Sequence, residues 1–281
     1  MNISADQGSL SRGDLPSESA RQIKLNIAVH DRIARRYERL HDEIFNEIEQ
    51  ARIVTTLERT RDLITTNTRP LKGLDFGCGS GNLTRRMIHL GVEVTAADVS
   101  KGFLELIRSR YPTVRTLVMN GRDLSGLPDN SFDLVGAYSV LHHVPDYLGA
   151  VRELARVCKP GGVVLIDHEQ TDEFWDGDPK YSEFRKLALR FDWRKYLRPS
   201  NYWHGFLRKF NPRHANEGDI HVWPDDRIDW RKIKRIMAAA GFETVVSDDY
   251  LLYRRLYRKD VYDRFASICS DTKAMVFRKL K

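Results

Sequence analysis

Five short apolar stretches alternate with helical segments between residues 71 and 170, and this alternation constrains the fold more than any other feature of the sequence. The stretches read GLDFG, VEVTAADVS, TVRTLVMNG, FDLVGAYSVL and GGVVLIDHE. Strands that alternate with helices form βαβ units, and βαβ units build a parallel sheet. The fifth stretch follows VRELARVCKPGG, in which Gly161 and Gly162 are expected to end a helix. The sequence therefore predicts an α/β domain.

The first stretch runs directly into three glycines, Gly77, Gly79 and Gly81, in LDFGCGSG. Glycine permits positive φ and lets a ligand lie against bare backbone. A nucleoside-triphosphate loop requires GxxxxGK[ST], but no lysine follows here, and Asn82 stands where the last glycine of a dinucleotide loop would fall. S-adenosylmethionine is the third candidate, because it carries no phosphate and needs only close passage along the loop.

The second stretch ends in Asp98, 17 residues after Gly81. Ligands of open parallel sheets bind beyond the carboxyl ends of the strands, where a carboxylate can accept both ribose hydroxyls. Nicotinamide enzymes use the same device, and an acid at a strand end can also cap the next helix. Asp98 alone therefore does not identify the ligand.

The ordered motifs from residue 71 to about 167 resemble those of class I S-adenosylmethionine-dependent methyltransferases. LDFGCGSGNLT resembles the first motif of that family, AADVS its acidic second motif, and GRDLSGLPDNSFDLV its adenine-side loop and fourth strand. YSVLHHVPD and LARVCKPGGVVLI are similar to the segments that follow. The resemblance implies a doubly wound, Rossmann-like, mostly parallel seven-stranded sheet, with N-terminal lid helices and a helical insertion after strand five.

The resemblance also implies S-adenosyl-L-methionine as cofactor. Family positions that bind it are occupied here by Asp75, Gly77, Gly79, Gly81, Asp98, Val99, Asp123, Leu124 and Tyr138. Asp75 and the glycines would hold the methionine end, and Asp98 the ribose. Val99, Asp123 and Leu124 would border the adenine, although Asn120 stands where many relatives carry an acid. Tyr138, with Ser139, would flank the sulfonium.

Methyl transfer from a sulfonium needs a base only when the acceptor is a hydroxyl, a protonated amine or an acidic carbon. The candidates for catalysis are His143, beside His142 after strand four, His168 at the end of strand five, and Tyr37 in the lid. Strand alternation is expected to place His168 and Glu169 on opposite faces. His41 and Asn46 in the lid are further candidates for the acceptor site, and His41 and His221 are further candidates for a base. A packing, capping or solvated role is the alternative for each of these side chains. No metal site is predicted.

The segments outside the core are predicted from periodicity and composition. Apolar residues recur every three or four positions between about residues 26 and 65, which indicates amphipathic helix. FETVVSD and KAMVFRKL read as strands near the C-terminus. The predicted division is a disordered tail over 1–20, lid helices over 21–70, a cofactor-binding core over 71–170, a substrate-side insertion over 171–226 and completion of the sheet over 227–281.

The insertion has an unusual composition. Between Phe184 and Arg213 there are eight large aromatic residues, nine Arg or Lys and one acid, Asp192. Such a surface suits an acceptor with an apolar body and an anionic group, or peripheral contact with anionic lipid. A lid whose aromatic residues pack on the core is the alternative. Arg194, Lys195 and Arg198 are the charges whose neutralisation would separate these readings.

Composition limits the partners that we expect. The 281 residues carry a net charge of +7, contain no apolar run of membrane-spanning length and have three widely separated cysteines. This pattern favours a cytoplasmic protein without a transmembrane segment. The leading prediction is a methyltransferase for a small polar or lipid- or glycan-linked metabolite with an O, N or C acceptor. RNA or protein as acceptor, and a non-catalytic cofactor-binding scaffold, are the alternatives; no RNA-binding module is recognisable, which disfavours nucleic acid.

Overall fold

The centre of the protein is a seven-stranded sheet. A computed structural model describes residues 17–189 and 227–280. The strands are β1 (Lys72–Phe76), β2 (Glu93–Asp98), β3 (Arg115–Val118), β4 (Phe132–Tyr138), β5 (Cys158–Gln170), β6 (Phe242–Tyr250) and β7 (Thr272–Lys279). Their order across the sheet is β3-β2-β1-β4-β5-β7-β6. Strands β1 to β5 pair in parallel, and β7 runs antiparallel to both β5 and β6. The predicted doubly wound, mostly parallel sheet is confirmed.

Helices cover both faces of this sheet. They are α1 (Ser17–Ile33), α2 (Tyr37–Leu40), α3 (Glu47–Asp62), α4 (Asn82–His89), α5 (Lys101–Arg110), α6 (Tyr147–Val157), α7 (Asp172–Asp176), α8 (Pro179–Ala188), α9 (Trp230–Ala239) and α10 (Lys259–Phe265). Because side chains alternate along a strand, Val135 of β4 packs in the core beneath α6 and α9, and its neighbour Leu134 packs beneath α3, α4 and α5. Both faces are buried, as a doubly wound sheet requires.

One expected helix boundary was wrong. The helix predicted to end at Gly161 and Gly162 ends at Val157, and both glycines lie within β5. The C-cap residue Cys158 is already extended, with ψ 134°, and Pro160 follows two residues later. Proline cannot continue a helix, since it lacks the N–H and restricts the residue before it.

The lid is not one continuous helix. Asn46 ends the periodic segment between α2 and α3, because its Oδ1 accepts hydrogen bonds from the N–H groups of Ile48 and Glu49 and so caps α3. Its Nδ2 donates to the carbonyl oxygen of Asp42 at 2.8 Å and of Tyr253 at 3.1 Å. The side chain is completely buried. Asn46, a candidate for the acceptor site, is therefore a structural cap, which a purely apolar periodicity does not reveal.

The tail and the insertion are described only in part. Helix α1 begins at Ser17, so residues 17–20 of the predicted tail are helical. After β5, α7 and α8 form the described part of the insertion, and Phe184 is buried against Tyr257 and Phe265 of the C-terminal segment at ring distances of 5.0 and 5.7 Å. Arg194, Lys195, Arg198 and His221 lie outside the described residues. In the described part of the chain, no helix has the length and apolar character needed to cross a membrane.

Candidate functional site

The loop between β1 and α4 uses its three glycines for two different reasons. All have positive φ: +68° at Gly77, +49° at Gly79 and +94° at Gly81. A Cβ on Gly77 would lie 2.2 Å from Cγ2 of Val140, and one on Gly81 would lie 2.6 Å from Cδ1 of Ile107. A Cβ on Gly79 would meet no atom within 4 Å. Gly77 and Gly81 are thus required by packing, whereas Gly79 presents bare backbone to open space.

Asp98 ties this loop to the end of β2. Its Oδ2 accepts a hydrogen bond from Gly79 N at 2.9 Å, and its Oδ1 accepts one from Ser100 N at 2.8 Å. Burial raises the pKa of this carboxyl to about 6. Each carboxylate oxygen can accept a further hydrogen bond, so the group can hold the loop and still receive a ligand.

Asp75 lies one strand away and has a different environment. Its Oδ2 accepts hydrogen bonds from the backbone N–H and the hydroxyl of Thr84, at 2.8 and 2.5 Å. The carboxyl is buried, which raises its pKa to about 7. It does not line the adjacent cleft, and neither does Gly81. In the structure these contacts attach the first turn of α4 to β1.

The glycine loop opens into a cleft of about 890 Å³, here named the first cleft. Its wall includes Ile23, Asn26, His30, Tyr37, Gly77, Gly79, Asp98, Val99, Phe103, Asp123, Leu124, Ser139, Val140, His143 and Glu153. The structure thus brings the end of β2, the loop after β3, the turn after β4 and the lid helices together. Helix α1 is attached over the cleft because Asp31 accepts hydrogen bonds from Ser100 Oγ and Gly102 N.

The loop after β3 is held in place from α6. Leu124 is buried, its N–H donates to Oε2 of Glu153 at 2.9 Å, and its carbonyl oxygen accepts from Arg156 at 2.9 Å. Asp123 is organised by Asn120, whose Nδ2 donates to Asp123 Oδ1 at 3.0 Å. The asparagine at position 120 therefore shapes the loop through its side chain.

A second cleft of about 500 Å³ adjoins the first. It is lined by Tyr37, His41, Glu43, Ile44, Ser139, His142, His143, His168, Glu169, Gln170, Leu252, Arg254 and Thr272. Tyr37, Ser139 and His143 line both clefts and are here named the junction. The ring of Tyr37 lies 4.1 Å from that of His41 and 5.2 Å from that of Phe103. Two of the three predicted catalytic residues, Tyr37 and His143, lie at this junction.

A β-bulge brings the third, His168, into the second cleft together with Glu169. The expectation that these neighbours face opposite sides was wrong, because the pairing of β5 with β7 shifts between Asp167 and Glu169. His168 is the extra residue and adopts φ +66°. Its Nδ1 lies 3.1 Å from the hydroxyl of Tyr138, which lines neither cleft. Ser139, with φ +54°, is the strand-end residue exposed to both.

Glu169 organises the turn after β4 and was not predicted as a site residue. Its Oε1 accepts hydrogen bonds from the N–H groups of Val140 and Leu141, at 3.0 and 2.7 Å. Its Oε2 lies 2.7 Å from Nδ1 of His142. The carboxylate is completely buried. An acceptor at Nδ1 fixes a hydrogen on that nitrogen, so that Nε2 is the basic nitrogen of neutral His142.

A buried charge cluster connects α3 with the same strand end. The guanidinium of Arg52 lies 2.9 Å from Oε2 of Glu49 and 3.1 Å from Oδ2 of Asp167. It also stacks on the ring of Tyr250, 3.8 Å from the ring centre. Asp167 in turn accepts from the hydroxyl of Tyr250 and from His168 N. The bulge that carries His168 and Glu169 is therefore attached to the lid through Arg52. No group of metal-ligating side chains suited to an ion occurs within residues 17–189 and 227–280.

Comparison with known proteins agrees with this geometry. Residues 74–166 match the family model described as "Methyltransferase domain". The ubiquinone biosynthesis O-methyltransferase of Alkalilimnicola ehrlichii is 32% identical over 45% of this chain and 55% of its own length. The demethylmenaquinone methyltransferase of Staphylococcus saprophyticus is 29% identical over 62% of this chain and 71% of its own length. For the first relative, the matched stretch is thus only about half of the protein.

Solved structures support the fold. The Burkholderia thailandensis 1,6-didemethyltoxoflavin-N1-methyltransferase, solved with 1,6-didemethyltoxoflavin and S-adenosylhomocysteine, superimposes with a TM-score of 0.53 at 18% identity. The superposition covers 95% of this chain and 92% of that one. Residues 74–166 thus match a methyltransferase domain, and the sheet order and the glycine loop agree with the predicted resemblance to class I S-adenosylmethionine-dependent methyltransferases.

Proposed function

We propose that the protein transfers a methyl group from S-adenosylmethionine, bound in the first cleft, to a small-molecule acceptor bound in the second. The observation that carries this proposal is the meeting of the two clefts at Tyr37, Ser139 and His143. A transfer between two ligands requires them to be held side by side with water excluded. The names of both relatives refer to quinone chemistry, which supports a small-molecule acceptor in preference to a macromolecule.

The residues of the first cleft fit the cofactor. Asp98 would accept the ribose hydroxyls, with Val99, Asp123 and Leu124 beside the adenine. The methionine end would lie along Gly77 and Gly79, since the latter leaves space that any side chain would fill. When bound, the cofactor supplies a methyl group on a positively charged sulfur, and the junction is where this chain would receive it. Asp75 and Gly81 support the loop from outside the cleft, and Tyr138 supports the junction through His168.

The second cleft offers a base for an acceptor that must lose a proton. His142 lines it, and Glu169 accepts at Nδ1, which leaves Nε2 as the proton-accepting atom of the neutral ring. The ring of His143 lies 4.0 Å from that of His142, at the junction itself. We therefore propose His142 as the base, positioned by Glu169, with His143, Tyr37 and His168 shaping the acceptor's surroundings.

Two measurements test the function. Titration calorimetry with S-adenosylhomocysteine should show binding with one site per chain. Methyl-labelled cofactor incubated with fractionated metabolites and lipids should yield a labelled small product that survives nuclease and protease treatment. Label found only in RNA or protein would contradict the proposed acceptor class. Cofactor binding without any transfer would contradict the enzymatic proposal and favour a scaffold.

Substitutions of Gly79 and Gly77 should distinguish an effect on cofactor binding from an effect on stability. Gly79→Val is expected to abolish S-adenosylhomocysteine binding while lowering the free energy of unfolding by only about 1–2 kcal/mol, the cost of positive φ for a residue with a Cβ. Gly77→Val should cost about 2–5 kcal/mol, because its side chain also collides with Val140. Urea unfolding and calorimetry measure the two effects. Retained binding by a folded Gly79→Val variant would show that the cofactor does not approach this loop.

Glu169→Gln should act on catalysis through the tautomer of His142. The amide oxygen must still accept from Val140 and Leu141, so the amide N–H would face Nδ1 and move the ring hydrogen to Nε2. We expect kcat to fall by about 100- to 10,000-fold, the usual range for a general base, with KM and S-adenosylhomocysteine affinity nearly unchanged. The pH–rate profile should lose its acidic limb. Glu243→Gln, which alters a surface pair with Arg278, is the matched control. An unchanged pH profile in Glu169→Gln would contradict the role of His142.

A further inference from the structure

We propose that the second cleft binds an acceptor that carries an anionic oxyacid group, a carboxylate or a phosphate, and that Arg254 holds this group. The inference rests on the proposed methyl transfer, because it assigns the acceptor class of the same site. It concerns the end of the acceptor that lies away from the reacting atom. Arg254 comes from the segment after β6, far in sequence from the motifs of the core.

The charges that line the second cleft are Glu43, Glu169 and Arg254. Both acids already have partners: Glu43 Oε1 lies 2.8 Å from Nδ1 of His41, and Glu169 uses both oxygens in the turn after β4. Asp271, behind the cleft, accepts from Leu252 N and from the Thr272 hydroxyl. Among the described residues of this wall, each of these acids is therefore already engaged in hydrogen bonds.

Unlike these acids, the Arg254 side chain has no hydrogen-bond partner among the described residues. Within residues 17–189 and 227–280, its side chain donates no hydrogen bond and forms no ion pair. Burial lowers the pKa of Arg254, while the charges of Tyr257, Glu43 and Asp271 raise it, and the net shift is upward. The guanidinium therefore stays protonated and presents its planar set of N–H donors at the rim of the cleft. Such a group binds carboxylate and phosphate oxygens in pairs.

A second polar group in the cleft also lacks a partner. Oε1 of Gln170 is buried and accepts no hydrogen bond in the described part of the chain. A buried acceptor left unsatisfied costs free energy, which a hydroxyl or N–H of a ligand would recover. Gln170 follows Glu169 at the end of β5, on the side of the junction. The cleft thus offers an anion site at Arg254, a hydrogen-bond acceptor at Gln170 and a base at His142.

The test uses small probes, since the natural acceptor is not needed. Benzoate, phenyl phosphate and the neutral benzamide are titrated into the full chain saturated with S-adenosylhomocysteine, with ligand-observed NMR as the readout. At least one of the two anions should bind at least about tenfold tighter than benzamide, as a charge-assisted pair at a partly exposed site allows. Which anion binds better distinguishes a carboxylate acceptor from a phosphate acceptor.

Variants then assign the anion site. Arg254→Gln should weaken anion binding by about tenfold and Arg254→Lys by less, because lysine keeps the charge but loses the paired donors. Arg255→Gln is the matched control, since this neighbour pairs with Glu47 on the exposed surface. All three variants should bind S-adenosylhomocysteine as the unmodified chain does. Equal anion binding by Arg254→Gln, or no anion binding by the unmodified chain at about 10 mM, would overturn the proposal. If the unmodified chain does not bind S-adenosylhomocysteine, the proposed function is overturned instead. The anion titrations, run without S-adenosylhomocysteine, would then still measure whether Arg254 binds an anion in the second cleft.

Discussion

Replacing Asp98 with alanine should weaken S-adenosylhomocysteine binding by about 100-fold or more, which is at least roughly 3 kcal/mol. The substitution removes a carboxylate that would accept two ribose hydroxyls, and hydrogen bonds to a charged group contribute about 1.5–3 kcal/mol each. It also releases Gly79 N and Ser100 N, which the carboxylate holds at 2.9 and 2.8 Å in the structure. The loop and the ribose site should therefore be lost together. Titration calorimetry measures the affinity, and binding unchanged in Asp98→Ala would show that the ribose lies elsewhere.

The same carboxyl should make cofactor binding depend on pH. Burial raises the pKa of Asp98 to about 6, so the group is ionised above that pH and protonated below it. A protonated carboxyl cannot accept both hydroxyls, so affinity should be constant above about pH 7 and fall as the pH drops through 6. Binding near pH 6 should release protons, because the ligand favours the ionised form. Asp75, whose pKa is raised to about 7, titrates in the same range. Asp98→Asn should abolish the dependence if Asp98 causes it, and a persistent dependence would point to Asp75.

The core of the candidate site could be predicted because its signals are local. Gly77, Gly79 and Asp98 stand next to strand ends that the apolar pattern already marks, and parallel strands bring those ends to one edge. A backbone position that needs positive φ or the close approach of a ligand favours glycine, so the sequence itself marks such positions. The structure accordingly places these three residues in one cleft, together with Val99, Asp123 and Leu124.

The second cleft could not be predicted, because its geometry depends on departures from regular structure. The positive φ of His168 shifts the register of β5 and turns Glu169 toward His142, against the alternation expected for a strand. Histidine gives no sequence signal for such a bulge. Arg254 enters the cleft from a segment more than eighty residues beyond β5, and no local pattern connects the two. Apolar periodicity likewise passes through Asn46, whose capping contacts include the distant Tyr253.

Substituting Arg52 with methionine should lower the free energy of unfolding by about 3–5 kcal/mol at pH 7, the cost of breaking a buried ion pair on one side. Arg52 is the shared partner of Glu49 and Asp167, whose side chains are 1% and 0% exposed. Without it, two carboxylates remain buried with no cation in contact. Arg59→Met is the matched control, because Arg59 lies on the same helix but pairs with Asp248 at the surface, where such pairs contribute about 0–1 kcal/mol. Urea unfolding of both variants measures the difference.

The pH dependence of the Arg52→Met variant identifies the cause. Burial already raises the pKa of Glu49, and loss of the guanidinium should raise the pKa of this carboxyl group further. The folded variant then binds more protons than its unfolded chain, so its stability should rise as the pH falls, whereas a merely mispacked side chain would show no such trend. The difference in free energy of unfolding between the variant and the unmodified chain should therefore become smaller as the pH falls from 7.5 to about 5.5. This range lies above the ordinary carboxyl pKa of about 4. A difference in free energy of unfolding that stays constant or grows as the pH falls would refute the unpaired-charge explanation.

If Arg52→Met does not fold, Arg52→Lys, which retains the charge, should be folded and should lower the free energy of unfolding by less. Because Arg52 joins α3 to the bulge of His168 and Glu169, a loss of methyl transfer that exceeds the loss of folded protein would show that this cluster also holds the acceptor cleft in shape.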